Sequence, residues 1–171
     1  MKWEERYKEL HMSLITGKIT EEEFIRLNSE GNQTDAEISI RLLNKAFDDK
    51  NADAVEEAIR EASPSKGFSN KFSEIFCKLL QADWHYKHED IARILQEMKD
   101  PSTVDCLCKA AELHFEYLDY DDSYQFARKC IKALSAIDNE AAISKLQLLA
   151  QSSISEVQQY AIKELKYKGF L

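Results

Sequence analysis

Glycine and proline are nearly missing from this chain: its 171 residues include four of the first and two of the second. That scarcity argues against an all-β chain, which needs tight turns at short intervals, and fits helices joined by short polar loops. Long apolar runs are missing too, so no segment reads as a membrane span. The first residues, Met1-Lys-Trp-Glu-Glu-Arg-Tyr-Lys8, alternate charge with aromatics and lack an apolar core or cleavage site, which predicts no secretory leader and a cytoplasmic protein. A Gly-rich phosphate loop, a nucleophile elbow and zinc-ligand spacing are lacking, and with them the common sequence signs of an enzyme. Basic residues are in deficit, 23 against 31 acids, for a formal charge of −8. Such a balance repels phosphate, which disfavours nonspecific binding to nucleic acid or to an anionic membrane. It leaves two readings open, plain solubility or a basic protein partner.

The four cysteines, Cys77, Cys106, Cys108 and Cys130, fall within helical patterns. Cys106 and Cys108 are two apart and point to different sides of a helix, a spacing that is neither a zinc knuckle nor a redox pair. The expectation is free thiols in a reducing compartment, with Cys77 and Cys130 as small core residues and no disulfide.

What the chain does have is helical periodicity over nearly its whole length. Trp3, Tyr7, Leu10 and Leu14 form one face of a first helix, which Gly17 ends. Thr20 and Glu23 have the spacing of a capping box for a short helix with Phe24 and Leu27. Thr34 with Glu37 repeats the signal for a helix through Phe47 that turns Ile38, Leu42 and Ala46 inward. A helix over 53–62 buries Val55, Ala58 and Ile59. The segment 63–67, Ser-Pro-Ser-Lys-Gly, is the clearest break. Beyond it come a helix from Asn70 to Trp84, one from His88 to Met98, and one from Asp100 that carries Val104, Leu107, Ala111, Phe115 and Leu118. Asp100 reads as an N-cap with Pro101 at the first helical position. Asp121 or Asp122 is expected to cap the next helix, Asn139 the one after, and Ser153 or Ser155 the last.

Part of this pattern repeats. Leu95, Met98, Asp100, Val104 and Leu107 recur as Leu134, Ile137, Asn139, Ile143 and Leu146, each 39 positions later. A period near 40 with two helices per unit marks a solenoid of helix pairs. At these residues the chain resembles a HEAT-repeat protein of the PBS-lyase-like subtype, whose unit has the form Asp-Pro-x-x-Val-x-x-Leu followed by a small-residue-rich second helix. Asp100, Pro101, Val104 and Leu107 match the first helix; Ala127, Arg128, Cys130, Ala133 and Leu134 match the second. The following unit matches through Ile143, Leu146, Tyr160, Ala161 and Leu165, with Glu140 in place of the proline. The resemblance spans residues 88–167. It implies a single all-α domain: a short HEAT-like α-solenoid of antiparallel helix pairs at 67–171, capped by divergent N-terminal helices at 1–66. Such arrays grip other macromolecules and rarely carry chemistry.

In size, charge and fold type the chain is also similar to acidic helical immunity proteins encoded beside bacterial polymorphic or contact-dependent growth-inhibition toxins. That likeness implies an inhibitor that occludes the cationic cleft of a cognate toxin domain, such as a nuclease. The alternatives are a HEAT scaffold for a cellular protein, and a lyase-like enzyme of chromophore attachment.

Two stretches are candidates for the partner surface. Between Ala110 and Ala127 lie Glu112, Glu116, Asp119, Asp121 and Asp122, interleaved with Tyr117, Tyr120 and Tyr124 and with no Lys or Arg. Glu112 and Glu116 are expected to stack on one helix face. Tyrosine supplies contact area at low entropic cost, and interfaces are enriched in it. The competing reading is a solvated helix end whose acids cap the next helix. The second stretch, 83–90, crowds Trp84, His85, Tyr86 and His88 at a turn. It offers Trp84 and Tyr86 as interface anchors, or Trp84 as packing beneath the turn. His85 and His88 lack a metal-site spacing, so neither a metal nor a cofactor is expected.

Overall fold

The computed structural model describes residues 3–29, 35–62, 68–119 and 123–171, apart from the side chains of Trp3, Glu4, Asn28, Ser29 and Asp35. Among the described residues the protein is all-α and has no strand. The helices are α1 (Trp3–Ile15), α2 (Glu21–Ser29), α3 (Asp35–Asp48), α4 (Ala52–Ala62), α5 (Ser73–Gln81), α6 (His88–Met98), α7 (Val104–Ala110), α8 (Gln125–Ile137), α9 (Glu140–Leu149) and α10 (Ser155–Tyr167). No helix among the described residues is long and apolar enough to cross a membrane. The expected caps at Thr34 and at Asp121 or Asp122, and the break at 63–67, lie outside the described residues.

Local chemistry explains most helix ends. The capping box at α2 is formed: Glu23 N–H donates to Thr20 Oγ1 (3.1 Å), and Thr20 N–H donates to Glu23 Oε2 (3.0 Å). Gly17 closes α1 with φ of +69°, a left-handed geometry that glycine adopts at little cost. The turn between α6 and α7 and the turn between α8 and α9 share one design. Lys99 (φ 52°) and Asp138 (φ 54°) are left-handed C-caps whose N–H groups donate to Leu95 O and Leu134 O. The next residue in each case caps the following helix. Asp100 Oδ1 accepts from Ser102 N (3.0 Å), and Asn139 Oδ1 accepts from Ala142 N (2.7 Å). The 39-residue sequence repeat is therefore a repeat of backbone geometry as well. A third copy, not recognised in the sequence, joins α3 to α4: Lys50 is left-handed (φ 48°), and Asn51 Oδ1 accepts from Ala54 N (3.0 Å).

Several expected ends are corrected. The helix predicted from Asn70 to Trp84 opens as a 3-10 turn and stops at Gln81, because Ala82 is extended and side chains further on take up the end carbonyls. The helix predicted to reach Leu118 stops at Ala110; Phe115 is extended (φ −129°, ψ 120°), drawn out to stack its ring on His88. Neither Ser153 nor Ser155 caps α10. Its N-cap is Ile154, whose own N–H donates to Ser152 Oγ (3.3 Å).

The expectation of four free thiols is also overturned. Cys77 on α5 and Cys106 on α7 form a disulfide, with Cα atoms 5.6 Å apart, within the range such a bond requires. Only neighbouring cysteines can be compared in the sequence; packing brings these two together. Cys77 is thus half-buried at a helix seam rather than a core residue, whereas Cys108 and Cys130 are free and buried.

Packing runs in two layers. α5 contacts α7 and α7 contacts α9, while α6 contacts α8 and α8 contacts α10. One continuous core joins α3 to α10, centred on fully buried Phe76, Leu79, Leu80, Leu95, Leu107, Leu134 and Leu146. α1 and α2 contribute a separate small cluster of Tyr7 and Phe24 against Ile38 of α3. Buried Asp100 does double duty in the main core. Its Oδ2 accepts from Ser73 Oγ (2.5 Å) at the start of α5. Burial pushes its carboxyl upward, but hydrogen bonds from Ser73 and Ser102 outweigh this and hold it below the ordinary range.

Both caps can be weighed by urea denaturation. Asn139→Ala should cost about 1 kcal/mol, the common loss for an N-cap. Asp100→Ala should cost more, about 2 to 3 kcal/mol, because it also strips the buried Ser73 hydroxyl of its acceptor. Equal losses would mean that the Ser73 contact contributes nothing.

Candidate functional site

The site is organised by the carboxyl end of α5. Helix ends leave carbonyls without intrahelical donors, and here two histidines supply them. His85 Nε2 donates to Leu79 O (2.7 Å), while its Nδ1 accepts from Lys87 N (3.0 Å). His88 Nε2 donates to Ala82 O (2.5 Å), and its Nδ1 accepts from Tyr117 Oη (2.6 Å). These partners assign both rings to the neutral, Nε2-protonated tautomer. The rings are fully buried and stacked, with centroids 4.1 Å apart and planes 11° apart. Phe115 stacks on the other face of His88 at 3.9 Å, Phe126 meets it edge-on at 5.6 Å, and Trp84 meets His85 edge-on at 5.3 Å.

Burial penalises the imidazolium form of both residues. His88 is pushed down to about 4, by burial first and by the neighbouring His85 second; the Ala82 carbonyl and Asp83 oppose the shift without cancelling it. His85 is lowered by burial as well, against the pull of the Leu79 carbonyl. With both nitrogens of each ring engaged, the pair offers no lone pair to a metal ion. Among the described residues no cluster of three potential metal ligands occurs.

The Tyr117 hydroxyl is the link that joins the two candidate stretches. It anchors the 3-10 turn Glu116–Leu118 to α6, and its ring meets that of Tyr86 edge-on at 5.1 Å. Tyr86 is 68% exposed. The turn before α6 and the loop after α7 therefore form one surface. Two further bonds hold the loop. Glu112 Oε1 accepts from Ser152 Oγ (2.6 Å) in the α9–α10 turn, and Tyr160 of α10 donates to Ser123 O (2.5 Å).

The other predicted site residues separate. Glu116 and Asp119 are exposed beside Tyr117, and Asp119 pairs with exposed His114 at 3.3 Å. Tyr124 is left-handed (φ 50°) at the start of α8, where no side chain caps the helix. With Leu113 and Leu118 it borders a cleft of about 230 Å³ floored by Phe115 and Phe126. Glu112 does not stack with Glu116, because the helix expected to carry both ends before them; it faces Ser152 instead. Trp84 is half-buried, its ring edge-on to Phe47 of α3 at 5.8 Å, so it supports the turn from beneath. Tyr120, Asp121 and Asp122 lie outside the described residues.

Nearby cations are already engaged: Lys87 pairs with Glu56 (3.0 Å) and Asp90 (3.6 Å), and Lys129 pairs with Glu89 (2.9 Å). Among the described residues neither Asp83 nor Glu116 has a cationic partner. The residues that sequence reasoning missed are His85 and His88 as helix-end caps, with Phe115 stacked on them. A pair of histidines just past an apolar stripe was visible, but nothing in their spacing distinguishes a cap from packing. Comparison with protein families, curated proteins and solved structures finds no match to this chain.

The buried histidines set a pH dependence. An unfolded chain takes up protons on both imidazoles as pH falls below their ordinary value near 6.5, while the folded protein resists until about 4 at His88. Their stabilising contribution is complete above about pH 6.5 and drains away below it. The unfolding free energy should fall between pH 7 and 5 with a limiting slope of about 1.4 kcal/mol per pH unit for each histidine. His88→Phe should remove one proton from that slope, whatever it does to absolute stability. Urea titrations across the range check both; a flat profile would contradict the buried neutral pair.

Proposed function

We propose that this chain is a non-catalytic, cytoplasmic protein-binding module. Its two helix layers form a short HEAT-like solenoid, with α1 and α2 as the N-terminal cap. Its Tyr86–Tyr117 surface takes a basic protein partner. The observation that carries the reading is the joining of two sequence-distant stretches, one with exposed Tyr86 and the other with half-buried Tyr117 beside exposed Glu116 and Asp119, through the Tyr117–His88 hydrogen bond. A preset tyrosine loses little freedom on binding. Asp83 and Glu116, which have no cationic partner among the described residues, would steer a cationic partner on a chain of charge −8. The buried imidazoles are occupied as caps, which supports a role without catalysis.

The specific form proposed is an immunity protein. Its partner would be a basic toxin domain, such as a nuclease, and inhibition would follow from occlusion of the cationic substrate cleft by Tyr86, Tyr117, Glu116 and Asp119.

Titration calorimetry and stopped-flow mixing with each basic domain that the neighbouring reading frames encode test this reading. Association should slow as salt rises, since screening acts within about 8 to 10 Å at physiological ionic strength. Reversing Glu116→Lys together with Asp119→Lys should weaken binding by about tenfold or more, with thermal stability nearly unchanged, because exposed charges contribute little to folding. Tyr86→Ala should cost about 2 kcal/mol of binding. Full affinity in the double reversal would move the interface elsewhere. Failure of every neighbouring basic domain to bind would favour a scaffold instead.

A further inference from the structure

The seam between α5 and α7 holds a second site, remote in chemistry from the tyrosine surface. A groove of about 710 Å³ opens there, and the Cys77–Cys106 disulfide lies on it, flanked by Lys78 and Lys109. Both cysteines are half-buried and line this space, which is large enough for a small molecule. The contrast within the chain is sharp. Cys108 and Cys130 are buried away from the groove, and burial pushes both thiols up, out of reach of thiolate chemistry at neutral pH.

The disulfide is not what holds the helices together. α5 and α7 also share the buried Ser73–Asp100 hydrogen bond, the bond from Gln81 Nε2 to Cys106 O (2.9 Å), and the core contributed by Phe76, Leu79, Leu80, Val104 and Leu107. Opening the bond leaves these contacts in place. The groove lining carries two lysines and two carboxylates, and Lys109 is the charge that favours an anion. Asp105 is held by Lys145 (2.8 Å) and Glu74 by Lys78 (2.7 Å), while among the described residues Lys109 makes no ion pair and feels Asp105 only at longer range.

We propose that Cys77–Cys106 is a site of reversible thiol–disulfide exchange with an anionic low-molecular-weight thiol of the glutathione class, acting on the folded protein. A thiolate attacks one cysteine sulfur, the S–S bond breaks, and the other cysteine leaves as a thiolate and takes up a proton. A second molecule of the small thiol, as its thiolate, attacks the mixed disulfide and releases the remaining cysteine. The net reaction oxidises two small thiols to their disulfide and reduces Cys77 and Cys106 to thiols. The reverse reaction, with the oxidised small disulfide as reactant, restores the bond. Lys109, which has no ion pair among the described residues, attracts the incoming thiolate and the carboxylates of such a molecule.

The test incubates the native full chain in glutathione buffers from fully reduced to fully oxidised, and counts thiols by maleimide labelling and mass spectrometry. The expected result is two thiols per chain that appear and disappear with the buffer while far-ultraviolet dichroism stays constant. Cys108 and Cys130 should stay unlabelled until denaturant is added. Cys77→Ser should trap a single glutathione adduct on Cys106. Glutathione should react about fivefold faster than the cationic thiol cysteamine at equal thiolate concentration, and Lys109→Glu should erase that preference. Thiols released only under unfolding conditions would overturn the proposal and leave a purely structural staple. A chain that stays dithiol in fully oxidised buffer would overturn it too, and equal rates with the two thiols would overturn the assigned ligand class.

Discussion

Two stacked imidazole rings close the carboxyl end of α5, and the surface around Tyr86 and Tyr117 hangs from them. The constraint is strict. Burying an imidazole without hydrogen-bond partners costs several kcal/mol, on the order of 2 to 7 per unsatisfied polar group. Each nitrogen here has one partner, and each partner belongs to a different piece of the chain. Leu79 and Ala82 are the end of α5, Lys87 is the entry to α6, and Tyr117 sits in the loop after α7. Satisfying the pair therefore sets the path of the chain twice. It stops α5 at Gln81, and it pulls Phe115 and Tyr117 out of the helix that their spacing suggested.

The layers supply the frame for this. Left-handed C-caps at Lys99 and Asp138, each followed by a capping Asp or Asn, return the chain at the same angle after α6 and after α8. Side-chain contacts tie neighbouring helices within each layer. Lys129 meets Glu89, Lys145 meets Asp105, and Ser152 meets Glu112, each pair 40 positions apart, one more than the sequence repeat. These pairs are partly exposed, and their worth in stability is small. Their consequence is register: the last of them holds the base of the loop that carries Tyr117. Phe47 packs on Trp84 beneath the tyrosine turn and also borders the Cys77–Cys106 groove, so the two surfaces share one wall.

Helix type and number were legible in the sequence because apolar spacing and side-chain caps are local signals. The Thr20–Glu23 box, the Asp100 cap and the Asn139 cap each depend on residues within three positions. The site was legible in composition but not in arrangement. Glu112 and Glu116 are spaced as helical neighbours, and only the long-range pull of His88 on Phe115 and Tyr117 shows that the helix has already ended. The disulfide escaped for the same reason: Cys77 and Cys106 are separated by 29 positions and meet across a helix seam. Trp84 and Tyr86 were singled out as one pair of anchors, yet they differ in role, one half-buried against α3 and the other standing in solvent.

The central claim is that a buried, neutral histidine pair welds two distant stretches into one surface. Nuclear magnetic resonance of the imidazole nitrogens, combined with ring-to-ring Overhauser contacts, tests it most directly. The account predicts that His88 stays neutral and protonated at Nε2 from about pH 7 to about pH 5, and that His85 titrates below the ordinary histidine range. It also predicts cross-peaks between the rings of Tyr86 and Tyr117 and between those of His88 and Phe115. A His88 ring that titrates near 6.5, with no contact between the Tyr86 and Tyr117 rings, would contradict it.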